Sequence, residues 1–149
     1  MKNLFDHDAS TEIVNRLDTL QADAKAVWGK MTVAQMLAHC IVPIKVSLGE
    51  QKPKRNFMGI IFGKMAKKMV LKDKPFKQGL PTDPSFVIKD QPDFYTKQQE
   101  LKSSINKLLT TDKQAMAARP HPFFGKMTID EWGILGYKHL DHHLRQFGV

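Results

Sequence analysis

Apolar side chains recur along most of this chain at the spacing of helices that bury one face. Ile13, Val14, Leu17 and Leu20 follow Ser10 in this way, which predicts a first helix over 10–20 with Ser10 as its cap. A second helix is expected from Thr32 to Leu48. Thr32 and Gln35 have the spacing of a capping box, Met31 and Met36 that of a hydrophobic staple, and Gly49 supplies a left-handed stop. Pro43 falls inside it. Over 55–71, Phe57, Met58, Ile61, Phe62, Met65 and Met69 share one broad arc, while Gly59 and Gly63 weaken the helix. Residues 72–92 are rich in Pro, Asp and Lys and include Leu80-Pro81-Thr82-Asp83-Pro84, so they read as a long surface connection. Phe94, Leu101, Ile105 and Leu108 mark a helix over 92–109, and a last helix is expected from Thr128 to Phe147.

These elements describe an all-α fold. The 149 residues, 42% of them hydrophobic, suit a single domain over 1–149 with one sizeable core. Cys40 is the one cysteine, which permits no internal disulfide, and residues 1–10 lack the apolar stretch of a secretory signal. A cytoplasmic location is expected. The most apolar stretch, 57–70, is broken by Lys64, Lys67 and Lys68 and falls short of the roughly 20 apolar residues of a membrane span.

The formal charge of +8 sits in one place. Between Gln51 and Lys77 lie nine basic residues and one acid, Asp73, leaving fourteen basic and fourteen acidic residues elsewhere. This lysine-rich stretch looks like an insert. No zinc-finger, RNA-recognition or helix-turn-helix signature accompanies it, and aromatics for base stacking are sparse, which weighs against nucleic acid. Lys68 falls within the apolar arc, which weighs against a membrane surface. A solvated lysine-rich face is the simpler reading.

A short internal repeat carries more information. Trp28-Gly29-Lys30-Met31-Thr32-Val33-Ala34-Gln35-Met36 returns 96 residues later as Phe124-Gly125-Lys126-Met127-Thr128-Ile129-Asp130-Glu131-Trp132. Both copies encode a capped helix start. His39 lies seven residues beyond Thr32, and His139 and His143 lie eleven and fifteen beyond Thr128. At about 100° per residue these three project in similar directions from their helix starts, so two bundled helices would aim all three inward. His139 and His143, four apart, fall on one face in a stripe with Trp132, Leu135, Gly136 and Gln146, where a core-facing helix ordinarily carries Leu or Ile. Burying imidazoles without partners costs free energy, and a shared metal ion compensates; hydrogen-bonded core histidines would serve the same need. His142 points roughly 100° away, as a surface residue or a support for the ligands. Pro43 frees the carbonyl of His39, four residues earlier.

The chain resembles the DinB/YfiT-like superfamily, and particularly a branch described only as a domain of unknown function. The resemblance rests on Trp28-Gly29-Lys30-Met31-Thr32 with Met36-Leu37-Ala38-His39, on His121-Pro122-Phe123-Phe124-Gly125, and on His139-Leu140-Asp141-His142-His143-Leu144-Arg145-Gln146. It implies a four-helix bundle with a three-His metal site, His39, His139 and His143, opening into a pocket; His121, His142 and Gln146 are candidates for supporting the ligands or lining that pocket. Some members of the superfamily are transferases or isomerases that use a low-molecular-weight thiol. The basic, Met-rich insert 51–77 departs from that pattern and would cover or reshape the pocket.

Three imidazoles leave a tetrahedral ion with a free position, whereas structural zinc sites usually have four protein ligands. Zn, Ni and Fe all suit imidazole. The leading expectation is a metal-dependent hydrolase or thiol-dependent transferase acting on a small molecule; the alternatives are a non-catalytic bundle and a basic binding module. A homodimer stays open. Cys40 reads as a small apolar core residue, and His121, before Pro122, as a loop residue that fixes the helix start.

Overall fold

The chain folds into α1 (His7–Thr19), α2 (Val33–Leu48), α3 (Phe57–Val70), α4 (Phe94–Thr110), the short α5 (Lys113–Ala117) and α6 (Ile129–Gln146), with one 3-10 turn at Pro84–Phe86. The computed structural model describes residues 1–149 except 55, 56, 81 and 83. Among the described residues the fold is all-α and no strand forms. Arg55, where the sequence would begin the middle helix, and Pro81 and Asp83 of the Leu80–Pro84 run lie outside the described residues.

Helices α1, α2, α4 and α6 surround a common core, α2 packing most extensively on α4 and α6 contacting both α1 and α2. Leu4, Ile13, Leu17, Met36, Leu37, Leu101, Ile105, Leu140 and Leu144 are fully buried between them. Ile13, Leu17, Leu101 and Ile105 are positions that the helical spacing selects, whereas Leu140 and Leu144 lie beside the expected histidine stripe of α6 and Leu4 precedes α1; removing all of them from water is the main force holding the helices together. Polar contacts fix the helices at their margins. The Gln98 side chain donates to the Leu17 carbonyl at 2.7 Å, Lys45 pairs with Glu100 at 2.7 Å, and Arg16 bridges Asp141 and the Val149 carbonyl.

Both expected capping boxes form. Thr32 Oγ1 accepts from the Gln35 N–H while Gln35 accepts from the Thr32 N–H, and Thr128 and Glu131 repeat the pattern. Gly49 closes α2 at φ 76°. The start of α1 differs from expectation. It begins at His7, and Ser10 lies inside the helix, its hydroxyl bonded back to the carbonyls of Asp6 and His7. Ser has this alternative because its side chain reaches the preceding turn as readily as it caps. The short α5 escaped the periodicity because five residues carry too little pattern; Asp112 caps it.

Helix α3 lies apart from the core. Its buried residues are Gly59 and Gly63, and a Cβ on Gly63 would approach the Phe123 carbonyl oxygen to 2.2 Å. The glycines that weaken the helix are therefore what let it lie on the 121–124 turn. Lys67 donates to the Lys126 carbonyl and pairs with Glu131 at 2.9 Å, and Lys138 of α6 donates to the carbonyls of Val70 and Lys72.

Candidate metal centre

Helix α2 carries His39 at the end of its second turn, and α6 carries His139 and His143 one turn apart on the facing surface. The packing of α2 on α6 brings the three rings together. Ring centroids are 5.0 Å apart for His39 and His139, 4.7 Å for His39 and His143, and 4.7 Å for His139 and His143. One nitrogen from each lies within 4.8 Å of the others.

Hydrogen bonds decide which nitrogens face the centre. His39 Nδ1 lies 3.0 Å from the Phe86 carbonyl oxygen. A carbonyl only accepts, so Nδ1 carries the proton and Nε2 keeps its lone pair. On His143 the same result is reached through Gln146. The Gln146 amide nitrogen donates to the Trp28 carbonyl at 2.8 Å, which turns its oxygen toward His143 Nδ1 at 2.9 Å. His143 Nδ1 thus donates, and its Nε2 is free. His39 Nε2 and His139 Nε2 stand 3.0 Å apart. Such carbonyl and amide partners orient metal-binding imidazoles in general and raise their basicity.

The first copy of the repeat therefore does more than start a helix. Trp28 supplies the carbonyl that orients Gln146, and Gly29, at φ 82°, leaves the necessary room, because a Cβ there would come to 2.6 Å from the amide nitrogen. In the second copy Gly125 instead closes a tight turn by bonding with the backbone of His121.

Burial keeps the imidazoles neutral. Desolvation lowers the pKa of His39, against the opposing bond to Phe86, and pushes that of His143 down to about 4. His139 is held well below its ordinary value by desolvation and then by His143, His39 and His142. Each ring thus offers a lone pair at neutral pH.

The three rings form part of the wall of a cavity of about 740 Å³, otherwise lined mainly by apolar side chains such as Ile44, Met58, Phe62, Phe123 and Leu135. His142 also lines it, half-buried against the rings of Trp28 and Phe76 at 5.6 and 5.9 Å. His121 is buried, and its Nδ1 accepts from the N–H groups of Phe123 and Phe124, both at 3.1 Å, so it holds the turn that precedes α6. Burial takes its pKa down to about 4. Cys40 lines the cavity from α2, and burial pushes its thiol up, away from the reactive thiolate. The indole N–H of Trp132 is buried without a partner among the described residues.

Phe86 and Phe76 belong to the connection that reads as mere surface. No periodicity marks a carbonyl that bonds to a histidine 47 residues earlier; Phe86 within a Pro-rich run was the one available signal.

The family described as Protein of unknown function (DUF1569) matches residues 2–148. The chain belongs to that family. No curated protein and no solved structure matches it.

The donor set of this DUF1569 member can be compared with what an ion requires. Zinc–nitrogen bonds of about 2.0–2.1 Å at tetrahedral angles put two ligating nitrogens about 3.4 Å apart. The His39–His139 separation of 3.0 Å lies close to that span, and the 4.8 Å bound on the set leaves at most about 1.4 Å for the rings to turn inward. Three neutral imidazoles, His39 and His143 buried and His139 half-buried, two of them with their outer nitrogens already engaged, fit a divalent ion. The fit does not select among zinc, nickel and iron. The described helices include none long and apolar enough to cross a membrane.

Proposed function

We propose that this chain is a DinB/YfiT-like four-helix bundle that holds one divalent metal ion on His39, His139 and His143, and that the ion serves a hydrolase or thiol-dependent transferase. One observation carries the reading: the imidazoles converge in the wall of a cavity large enough for a small-molecule substrate. An ion held by three protein ligands keeps a free position, where it would lower the pKa of water or a low-molecular-weight thiol and so supply a nucleophile at neutral pH.

The chain's own residues then have distinct tasks. Phe86 and Gln146 fix the rings of His39 and His143, so little reorganisation is left for binding. Ile44, Met58, Phe62 and Leu135 take the apolar body of a substrate and displace water from around it. His142, half-buried beside His143 with ring centroids 5.1 Å apart, is the residue placed to exchange a proton with a bound substrate. His121 has a structural task, because its Nδ1 is occupied by two backbone donors.

The test is a screen of metal-loaded protein against electrophiles with and without low-molecular-weight thiols, and against esters and amides. Turnover that needs the metal and disappears in His39→Ala supports the reading. A uniformly negative screen on metal-loaded, folded protein moves the site to a non-catalytic role.

A further inference from the structure

The outward side of α3 is apolar. Phe57 is 72% exposed, Met69 62%, Met65 59%, Ile60 57%, Met58 55% and Ile61 53%. Gly59 and Gly63 face inward, so most of the large side chains point away from the protein, while Met58, Phe62 and Val70 border the cavity. At about 100° per residue, Ile61, Met65, Met58, Met69 and Phe62 fill one unbroken sector of the helix. Lys68 adjoins it and Lys64 lies further round, beyond Phe57, and among the described residues neither makes an ion pair. The orientation is fixed by the Gly63 contact with Phe123 and by the polar bonds of Lys67 and Lys138.

This placement changes how the sequence is to be weighed. An apolar arc packed on the core would leave Lys68 as an intrusion. With the arc exposed, Lys68 lies between Phe57 and Ile61, where a four-carbon stem can follow apolar surface while the ammonium reaches outward.

The charge of the surrounding segment discriminates among occupants. Residues 51–77 carry nine basic side chains and one acid. Two copies meeting through α3 would bring these charges together. A nucleic acid would satisfy the lysines but leave the methionines and isoleucines against phosphate. An anionic bilayer surface accommodates both. We propose that α3 is an interfacial anchor that lies in the plane of an anionic membrane, with Ile61, Met65 and Met69 entering the acyl boundary and Lys64 and Lys68 at the headgroups. Its 14 residues span about 21 Å. Met58 and Phe62 also line the cavity, so docking sets one cavity wall at the lipid surface. The anchor does not depend on the metal reading.

The experiment is co-sedimentation of the full chain with phosphatidylglycerol/phosphatidylcholine vesicles and with phosphatidylcholine vesicles, at low and high salt, alongside light scattering and a nucleic-acid gel shift. The variants are I61D/M65D and K64E/K68E, with helicity checked by circular dichroism, and His39→Ala. The wild type should pellet with anionic vesicles alone, salt should weaken it, and each double variant should lower partitioning by at least about tenfold. His39→Ala should bind like the wild type, which separates this result from the metal site. The proposal is overturned by absence of binding to anionic vesicles, by undiminished binding of I61D/M65D, by self-association that I61D/M65D abolishes without vesicle binding, or by nucleic-acid binding without vesicle binding.

Discussion

Replacing Gln146 by Leu removes a side chain that touches no proposed ion yet orients one proposed ligand. Gln146 is 3% exposed and spans His143 Nδ1 and the Trp28 carbonyl. Leu fills much the same volume but bonds to neither. The Trp28 carbonyl, on a half-buried residue, regains water, whereas His143 Nδ1–H is left in the interior at a cost of about 1–3 kcal/mol. The imidazole escapes that cost by moving its proton to Nε2, which points toward His39 and His139. Metal binding must then reverse the tautomer before the lone pair is available. Loss of such a supporting partner typically weakens metal affinity by about 10–100-fold, or about 1.4–2.7 kcal/mol. Gln146→Glu keeps an acceptor for His143 but sets a carboxylate oxygen against the Trp28 carbonyl, so its metal-free form should melt lower while its metal affinity falls less than that of Gln146→Leu. Zinc competition against a colorimetric chelator at pH 7 measures both, with thermal melts of the metal-free proteins to establish folding. Affinity of Gln146→Leu within about twofold of the wild type would refute the orienting role.

Three further outcomes follow from separate features. His121 has a folded pKa of about 4 against an ordinary 6.5, so the unfolded chain binds more protons between these values, and stability from this group is present above pH 6.5 and lost as pH falls toward 4. The stability difference between wild type and His121→Asn should therefore shift by about 3 kcal/mol across that window in urea titrations of metal-free protein; a pH-independent difference contradicts it. Gly63→Ala should detach α3 from the 121–124 turn, because the obstructing atom is a backbone carbonyl, and limited proteolysis within 57–70 should accelerate while the core melts nearly as before. Gly29→Ala should weaken metal binding in the same direction as Gln146→Leu, since its Cβ would displace the amide and its φ of 82° disfavours a side chain.

The helices bearing His39, His139 and His143 were legible because two different signals coincide in them: capped starts of near-identical sequence and apolar stripes with histidines in core positions. Local chemistry fixed the phase of each helix, and phase is what aims a side chain. The supports of the site were only partly legible. Gln146 fell on the histidine stripe, but Phe86 acts through a backbone carbonyl, which any residue supplies and no pattern marks. Helix α3 shows the converse. Its apolar arc resembles a core-facing stripe in every respect except the two glycines, and the inward position of Gly63 depends on a turn sixty residues away.

The most direct test of the whole account is the metal content of purified protein, measured by mass spectrometry and repeated after metal-free protein is titrated with cobalt and followed by its visible absorption. One ion per chain, lost in His39→Ala and in His143→Ala while both remain helical, is the predicted result. Wild-type protein that takes up no ion, or variants that keep a full equivalent, would contradict it.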